Sequence, residues 1–183
     1  LTSERVQNYL IDSYPEFFSN QDKCVSGDCE NGWGKMEYEN GDIYEGNWVN
    51  SEINGNGTYI WSGEYSGDKY IGEFKDGLRH GYGTYIWAGE WEGQEYEGEY
   101  KNGEYHGFGE FIYKSGVIYT GEFVDGTFEG YGIMTYTDGS DNDSGIWKND
   151  DLEKSIKDEK VIRYLEYIYP QFFSNNFNQS ECI

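Results

Sequence analysis

The amino-acid sequence predicts a mainly β protein built from stacked β-hairpins. Two short patterns alternate along residues 32–147. The first is aromatic-x-Gly-x-aromatic, and its central glycines fall at positions 46, 72, 98, 121 and 145, a spacing of 23 to 26 residues. The second is Gly-x-Gly-x-apolar-x-aromatic, with one copy beside each copy of the first. A fixed period of this length indicates a repeat array in which each repeat is one supersecondary unit.

Each pattern alternates with period two and predicts a strand with aromatic residues and glycines on one face and polar residues on the other. Glycine weakens an ordinary strand, so we expect these glycines to make room for an aromatic ring of the neighbouring unit. The last unit departs from the pattern because Asp143 stands where an aromatic is expected. The predicted aromatic face comprises Tyr44, Trp48, Tyr70, Phe74, Tyr96, Tyr100, Tyr119, Phe123, Trp61, Trp87 and Tyr113.

Two classes of loop are predicted to connect these strands. The loop after the first pattern is expected to contain six residues, as in 75–80, 101–106 and 124–129, with left-handed turn residues such as Asp76-Gly77 and Asn102-Gly103. The return loops vary more, and the two longest, after Trp61 and Trp87, resemble each other. A stacked hairpin array tolerates small length changes that are confined to one class of loop.

Residues 70–83 and 96–109 both read Y-x-G-x-aromatic-x-x-G-x-x-H-G-x-G, which resembles the MORN repeat. The resemblance covers roughly residues 30–150, and we assign residues 24–150 to an array of about five units. It implies an elongated, gently twisted, single-layer antiparallel sheet. It also implies a role as scaffold, spacer or protein-binding platform, and some members of the family are linked to phospholipids.

The excess of acidic side chains disfavours some classes of partner. The chain carries 35 acidic and 13 basic side chains, a formal net charge of −22. Phosphate backbones and anionic lipid headgroups require clustered Lys and Arg, so neither nucleic acid nor an anionic membrane is an expected partner. No apolar run has the roughly 18 residues of a spanning helix. We therefore expect protein partners, either other proteins or further copies of this chain.

The two ends of the chain resemble each other in sequence, which makes a second, larger repeat. Residues 1–23 predict a capping helix that ends before Pro15 and is followed by a turn. Residues 159–175 align with residues 4–20 at a constant offset of 155. Three interpretations stay open. Helices in 1–23 and 151–183 cap the ends of the sheet, the chain is slightly more than one module of a tandem protein, or copies join head to tail. The candidate assembly residues are Tyr14, Phe17, Phe18, Tyr169, Phe172 and Phe173.

Cysteine placement suggests an oxidising compartment. Cys24 and Cys29, with a glycine between them, can close a small disulfide, and their segment resembles the C-x-x-G-x-C-x-N-G-x-G lead-in found ahead of MORN arrays in bacterial proteins. Zinc binding is disfavoured because the chain offers only three cysteines and two distant histidines. Cys182 is expected to be a free thiol or to bond another chain. We expect a secreted, cell-surface or periplasmic location, with the cytoplasm as the alternative.

No catalytic constellation emerges, and no cofactor is expected. His80 and His106 are expected to bond the loop backbone, and no Ser, Cys or Asp is placed to form a triad with either. The acidic pairs Glu97/Glu99 and Glu90/Glu92 are predicted on the outer face of strands, where carboxylates favour solubility. A calcium candidate consists of Asp138, Asp141 and Asp143, but it lacks a closing bidentate Glu.

Two functions from different classes follow. The favoured hypothesis is a non-enzymatic structural or protein-interaction scaffold, with a filament subunit or a module of a tandem protein as finer versions. Tyr, Trp and Phe carry much of the binding energy in protein interfaces. The alternative is a carbohydrate- or peptide-binding module, which exposed Tyr65 and Trp91 in the two long loops would favour.

Overall fold

A computed structural model describes residues 22–173, which form one twelve-stranded antiparallel sheet followed by two helices. Each strand pairs with its neighbours in sequence order, and no connection crosses over. The mainly β, single-layer array of hairpins is therefore confirmed. No helix in this range is long and apolar enough to cross a bilayer. The elements are β1 Lys23–Gly27, β2 Trp33–Glu37, β3 Ile43–Val49, β4 Glu52–Ile60, β5 Lys69–Lys75, β6 Leu78–Ile86, β7 Glu95–Lys101, β8 Glu104–Ile112, β9 Ile118–Val124, β10 Thr127–Thr135, β11 Asp143–Lys148, β12 Asp151–Ser155, α1 Asp158–Ile168 and α2 Pro170–Phe173.

The predicted six-residue loops are wrong, because the strands continue into two-residue turns. At the turn between β5 and β6, Asp76 and Gly77 have φ angles of 50° and 76°, the left-handed pair that suits a tight hairpin. Residues beyond the sequence pattern pair again because β6 bulges at Gly81, whose φ is 60°. The same arrangement recurs in the following two hairpins.

One face of the sheet, which we call the tyrosine face, buries Tyr44, Tyr70, Tyr96 and Tyr119 completely. Each ring lies across the glycine of the next strand in its own hairpin. A Cβ built on Gly83 would lie 2.5 Å from Tyr70 Cζ, and one on Gly109 would lie 2.5 Å from Tyr96 Oη. The glycines make room for a ring as expected, but that ring comes from the same hairpin and not from the neighbouring unit.

The ends of the array differ from the prediction. Two strands that carry neither pattern, β1 and β12, form the edges of the sheet, and β12 is short and charged, as protected edges often are. Helix α1 does not cap an edge but lies on the second face, against β10 and β11. Its buried residues Val161 and Leu165 need apolar partners, which a sheet edge does not supply. The predicted helix in residues 1–23 lies outside the described residues, except for Asp22 and Lys23.

Candidate interaction surfaces on the two faces of the sheet

The tyrosine face is a closed aromatic core. The Tyr96 ring meets Tyr100 and Phe123 edge-on, with centroids 5.1 Å away in both cases, and its hydroxyl donates to the Glu99 carbonyl at 2.9 Å. Burial raises the pKa of Tyr96 far above its ordinary value. The hydroxyls of Tyr44, Tyr70 and Tyr119 also donate to the carbonyl three residues onward. Eight of the eleven residues predicted for the aromatic face are thus core side chains: Tyr44, Trp48, Tyr70, Phe74, Tyr96, Tyr100, Tyr119 and Phe123.

The other three predicted residues, Trp61, Trp87 and Tyr113, lie on the border of this face and are partly exposed. They belong to a continuous line of rings across the sheet, which we call the aromatic row. Neighbouring centroids in the row are 4.5 to 5.4 Å apart. Another molecule can reach the row at its partly exposed rings, whereas Tyr85 within it is buried. Its members are Tyr59, Trp61, Tyr85, Trp87, Phe111 and Tyr113.

The two long return loops place aromatic side chains in solvent beside the row. Each loop forms a short 3₁₀ turn, Gly63–Tyr65 and Gly89–Trp91. Tyr65 is 58% exposed and Trp91 is 53% exposed. The exposure anticipated for the sugar- or peptide-binding alternative is therefore present. Glu90 and Glu92 lie in or next to the second turn, so their predicted place on a strand is wrong.

Two buried aspartates, which the sequence analysis missed, anchor these loops. Asp42 accepts hydrogen bonds from the Tyr59 hydroxyl and the Ser62 backbone N–H, both at 2.7 Å. Asp68 accepts the equivalent bonds from Tyr85 and Ala88, at 2.7 and 2.8 Å. Burial opposes ionisation of Asp42, but the hydrogen bonds to its carboxylate outweigh burial and leave its pKa below the ordinary value. An Asp two residues before the repeat tyrosine was the available signal.

The second face holds the C-terminal segment in a shallow apolar site, which we call the helix groove. Its floor consists of Tyr82, Phe108, Tyr131 and Ile133. Tyr164 of α1 stacks on Tyr131 with centroids 3.9 Å apart, and Phe172 of α2 lies 4.8 Å from Phe108. Three of the four floor residues occupy the middle position of Gly-x-Gly. That position was the signal that could have located the groove.

A glutamate in the first pattern supports the bulges of β6, β8 and β10, whereas Asn47 stands at that position beside the bulge of β4. Glu73 accepts the Tyr82 N–H at 3.0 Å, and Glu99 accepts the Phe108 N–H at 3.3 Å. Glu122 accepts the Tyr131 N–H and also the Tyr169 hydroxyl, the latter at 2.9 Å. These carboxylates hold the backbone N–H groups that the bulges leave outside the ladder, and Glu122 also fastens the C-terminal segment.

The remaining polar candidates make local contacts. Glu97 accepts the Tyr82 hydroxyl at 2.7 Å, and His106 Nδ1 faces the Asp125 carboxylate at 3.5 Å instead of the loop backbone. Asp138 accepts bonds from Ser140, and Asp143 accepts the Tyr136 hydroxyl at 2.6 Å. Among residues 22–173, no three acidic, His or Cys side chains converge to hold a metal ion, Asp141 included.

A disulfide links Cys24 in β1 to Cys29 in the following loop, as the spacing allowed. Tyr169, Phe172 and Phe173, three of the predicted assembly residues, pack on the helix groove. The other three, Tyr14, Phe17 and Phe18, lie outside the described residues, as does Cys182.

Comparison with known families supplies an independent view of the array. The family model of the MORN repeat matches four consecutive stretches: residues 44–63, 70–90, 96–118 and 119–141. Together they span residues 44–141, the part of the sheet from β3 to the loop before β11. A search of curated proteins finds no match.

Proposed function

The chain belongs to the MORN-repeat family, and from this premise we propose that it is a non-enzymatic scaffold that binds other proteins and joins copies of itself end to end. MORN repeats generally serve protein interaction or membrane binding rather than catalysis. The protein-binding role is supported by the aromatic row and by the exposed Tyr65 and Trp91 beside it. Rings of this kind supply large contact area at low cost in conformational entropy. The net charge of −22 favours basic partners over acidic ones.

End-to-end joining is supported by one observation, the echo of residues 159–175 in residues 4–20. The experiment is negative-stain microscopy of the natively purified protein, with and without reductant. We expect fibres with an axial repeat near one array, about 53 Å for eleven strand spacings of about 4.8 Å. Single short rods at high protein concentration would contradict self-assembly and leave a monomeric spacer.

A carbohydrate-binding role is the second candidate, and the exposed Tyr65 and Trp91 favour it. Aromatic rings stack on sugars, and Glu64 and Glu90 lie beside these two rings in the same turns. A glycan array should then show binding that the variant Trp91→Ala loses and that Tyr167→Ala, changed on α1, retains. An array without any bound glycan would remove this candidate.

The Cys24–Cys29 disulfide supports a further proposal, that the protein works in an oxidising place such as the cell surface, the periplasm or the extracellular space. Thiol labelling of protein isolated from its natural source, without added oxidant, tests it. Protection of both cysteines is expected. Two reactive thiols would favour the cytoplasm instead.

A further inference from the structure

We propose that the helix groove is a docking site for residues 4–18 of a second copy of this chain, which there replace the C-terminal segment. The inference rests on the proposed self-assembly and identifies its joint.

The C-terminal segment contacts the groove through side chains that residues 4–18 also carry. Six side chains of residues 158–173 pack on the sheet, and Val161 and Leu165 among them are essentially buried, at 0% and 1% exposure. Each has an identical counterpart 155 residues earlier. The groove can therefore receive the same six side chains from either segment. The pairs are Val161 and Val6, Tyr164 and Tyr9, Leu165 and Leu10, Tyr169 and Tyr14, Phe172 and Phe17, and Phe173 and Phe18.

Three solvent-facing residues of α1 have no identical counterpart in the N-terminal segment. Ile162, Tyr167 and Ile168 are 39%, 82% and 43% exposed, and they make up much of the outer side of α1. Their counterparts are Gln7, Asp12 and Ser13, none of which is identical or similar. Within residues 158–173 identity covers all six side chains that touch the groove, and outside them it is limited to the exposed Glu159 and Pro170, whose counterparts are Glu4 and Pro15. A general tendency to form the same kind of helix would not produce this division.

One polar contact of the C-terminal segment can also be made by the N-terminal segment. The Tyr169 hydroxyl donates to Glu122, which also holds the bulge of β10, and Tyr14 would supply the same hydroxyl. One tether is specific to the C-terminal segment: Asp158 accepts bonds from Ser144 and Asn142, at 2.6 and 2.9 Å. Its counterpart is Ser3, which lacks the carboxylate. The resident segment is therefore favoured within one chain, and exchange requires a high concentration of chains or a weakened α1.

The reach of the chain decides between a copy's own groove and that of another copy. Phe173, the counterpart of Phe18, contacts Phe108 of β8, seven strand spacings from β1, or about 34 Å at about 4.8 Å each. Even the groove residue nearest to β1, Tyr82 of β6, is five spacings away, or about 24 Å. Phe18 precedes Lys23, the first residue of β1, by five residues, which span at most about 18 Å when fully extended. Residues 4–18 are too short to occupy the groove of their own array. Docking is possible only between copies.

Docking between copies has a defined geometry. The N-terminal segment of one copy would occupy the groove of the next, whose own N-terminal segment remains available for a third. A contact of this kind is heterologous, and it generates a linear assembly when the rotation between copies does not close.

The test uses a substitution that removes α1 from the helix groove of the full chain. Leu165→Asp places a carboxylate at the most buried part of α1 and leaves the groove floor intact. We expect light scattering to show a mass that is a multiple of the monomer and that rises with concentration. The double variant Leu10→Asp/Leu165→Asp should remain monomeric. Tyr167→Asp is the matched control on the exposed side of α1 and should behave as the wild type. A monomeric Leu165→Asp chain with an intact β spectrum, or an assembling double variant, would overturn the proposal.

A second measurement needs no variant of the protein. An excess of a synthetic peptide of residues 3–20 is added to the wild-type chain, and hydrogen exchange is followed. We expect faster exchange in residues 158–173, and no change with the peptide that carries Leu10→Asp. Unchanged exchange with both peptides counts against the docking.

These experiments distinguish a failure of the proposed self-assembly from a failure of the proposed docking in the helix groove. Wild-type fibres that survive Leu10→Asp would retain self-assembly but refute this joint. A monomeric wild type whose Leu165→Asp variant assembles would retain the joint and refute spontaneous fibre formation.

Discussion

The two faces of the sheet bury aromatic rings in different ways. On the tyrosine face, Tyr96 is covered by Tyr100 of its own strand, Tyr105 of its hairpin partner and Phe123 of the next unit. On the second face, Phe108 and Tyr131 are covered by a segment more than thirty residues further along the chain. The first face is complete as soon as its neighbouring repeats are present. The second is completed from outside the array.

Only the second face is covered by a segment from outside the repeats. Every unit from Tyr44 to Tyr119 carries the tyrosine and its glycine, so the first face offers no vacant position between units. Aromatic residues on the second face depend on the unit, since Asn56 stands where Tyr82 and Phe108 stand in later units, and Trp33, at the same position of the first unit, is 52% exposed. The floor of the helix groove therefore extends from β6 to β10.

The largest effect is expected from breaking the tyrosine face. Tyr96→Ala removes a fully buried ring that touches three others, and we expect a loss of about 3–5 kcal/mol in the free energy of unfolding. Guanidinium denaturation measures it. Tyr65→Ala, at an exposed loop tip, is the control and should change stability by less than about 0.5 kcal/mol. Equal effects of the two changes would mean that this face is not the core.

Breaking the second face should have a more local effect. Leu165→Ala leaves a cavity under α1 and should cost about 2–5 kcal/mol of docking free energy. Hydrogen exchange should show protection lost in residues 158–173 and retained in β7 and β8, because the tyrosine face does not need the helix. Loss of protection throughout the sheet would show that the faces fold as one unit. Tyr167→Ala serves as the control on the same helix.

The ring-on-glycine contact can be tested by adding one carbon. Gly109→Ala would bring a Cβ within 2.5 Å of Tyr96 Oη, and we expect a cost of about 1–3 kcal/mol from overpacking. In the background of Tyr96→Ala the same change should cost much less. A double-mutant cycle in chemical denaturation measures this coupling, and additive effects would refute the contact.

The smallest effect concerns the loop anchor Asp42. Its pKa is below the ordinary 3.8 because bonds from Tyr59, Ser62 and Asn40 outweigh burial. A lowered folded-state pKa stabilises the fold above the unfolded value, and that contribution disappears as the pH falls through the folded value. Asp42→Asn should thus be less stable by about 1 kcal/mol at neutral pH, and the difference should shrink below pH 3.8. Thermal unfolding from pH 3 to pH 7 checks it, and a constant difference would contradict the anchor.

The repeat strands could be predicted because local pattern and packing coincide in them. A tyrosine and the glycine beneath it are both part of the motif, so periodicity alone locates β3 to β10. The strand ends could not be found in this way. Gly81 interrupts the alternation, and pairing resumes beyond it at Arg79 only because the bulge absorbs extra residues. The edge strands β1 and β12 lack the motif because each has only one neighbour.

The candidate surfaces also differ in how much of them the sequence could predict. The sequence predicted a helix within residues 151–183 from its alignment with residues 4–20, and the structure adds that Val161 and Leu165 form the buried side of α1. The sequence could not identify the receiving surface, which depends on residues brought together from β6, β8 and β10. The role of Glu122 was equally hidden, because a carboxylate at the middle of an alternating strand is usually solvated. Only the bulge beside Gly130 gives it a backbone partner.

The sequential strand order determines how the molecule responds to tension. All ladder hydrogen bonds run along the length of the sheet, between strands that follow each other in the chain. A pull between Lys23 and Ser155 therefore loads these bonds lengthwise and peels one strand at a time, instead of shearing many bonds together. The array should lengthen stepwise at low force, starting from either end, and recover hairpin by hairpin when released. If it is strung between two anchored partners, it would act as an extensible link rather than a stiff rod.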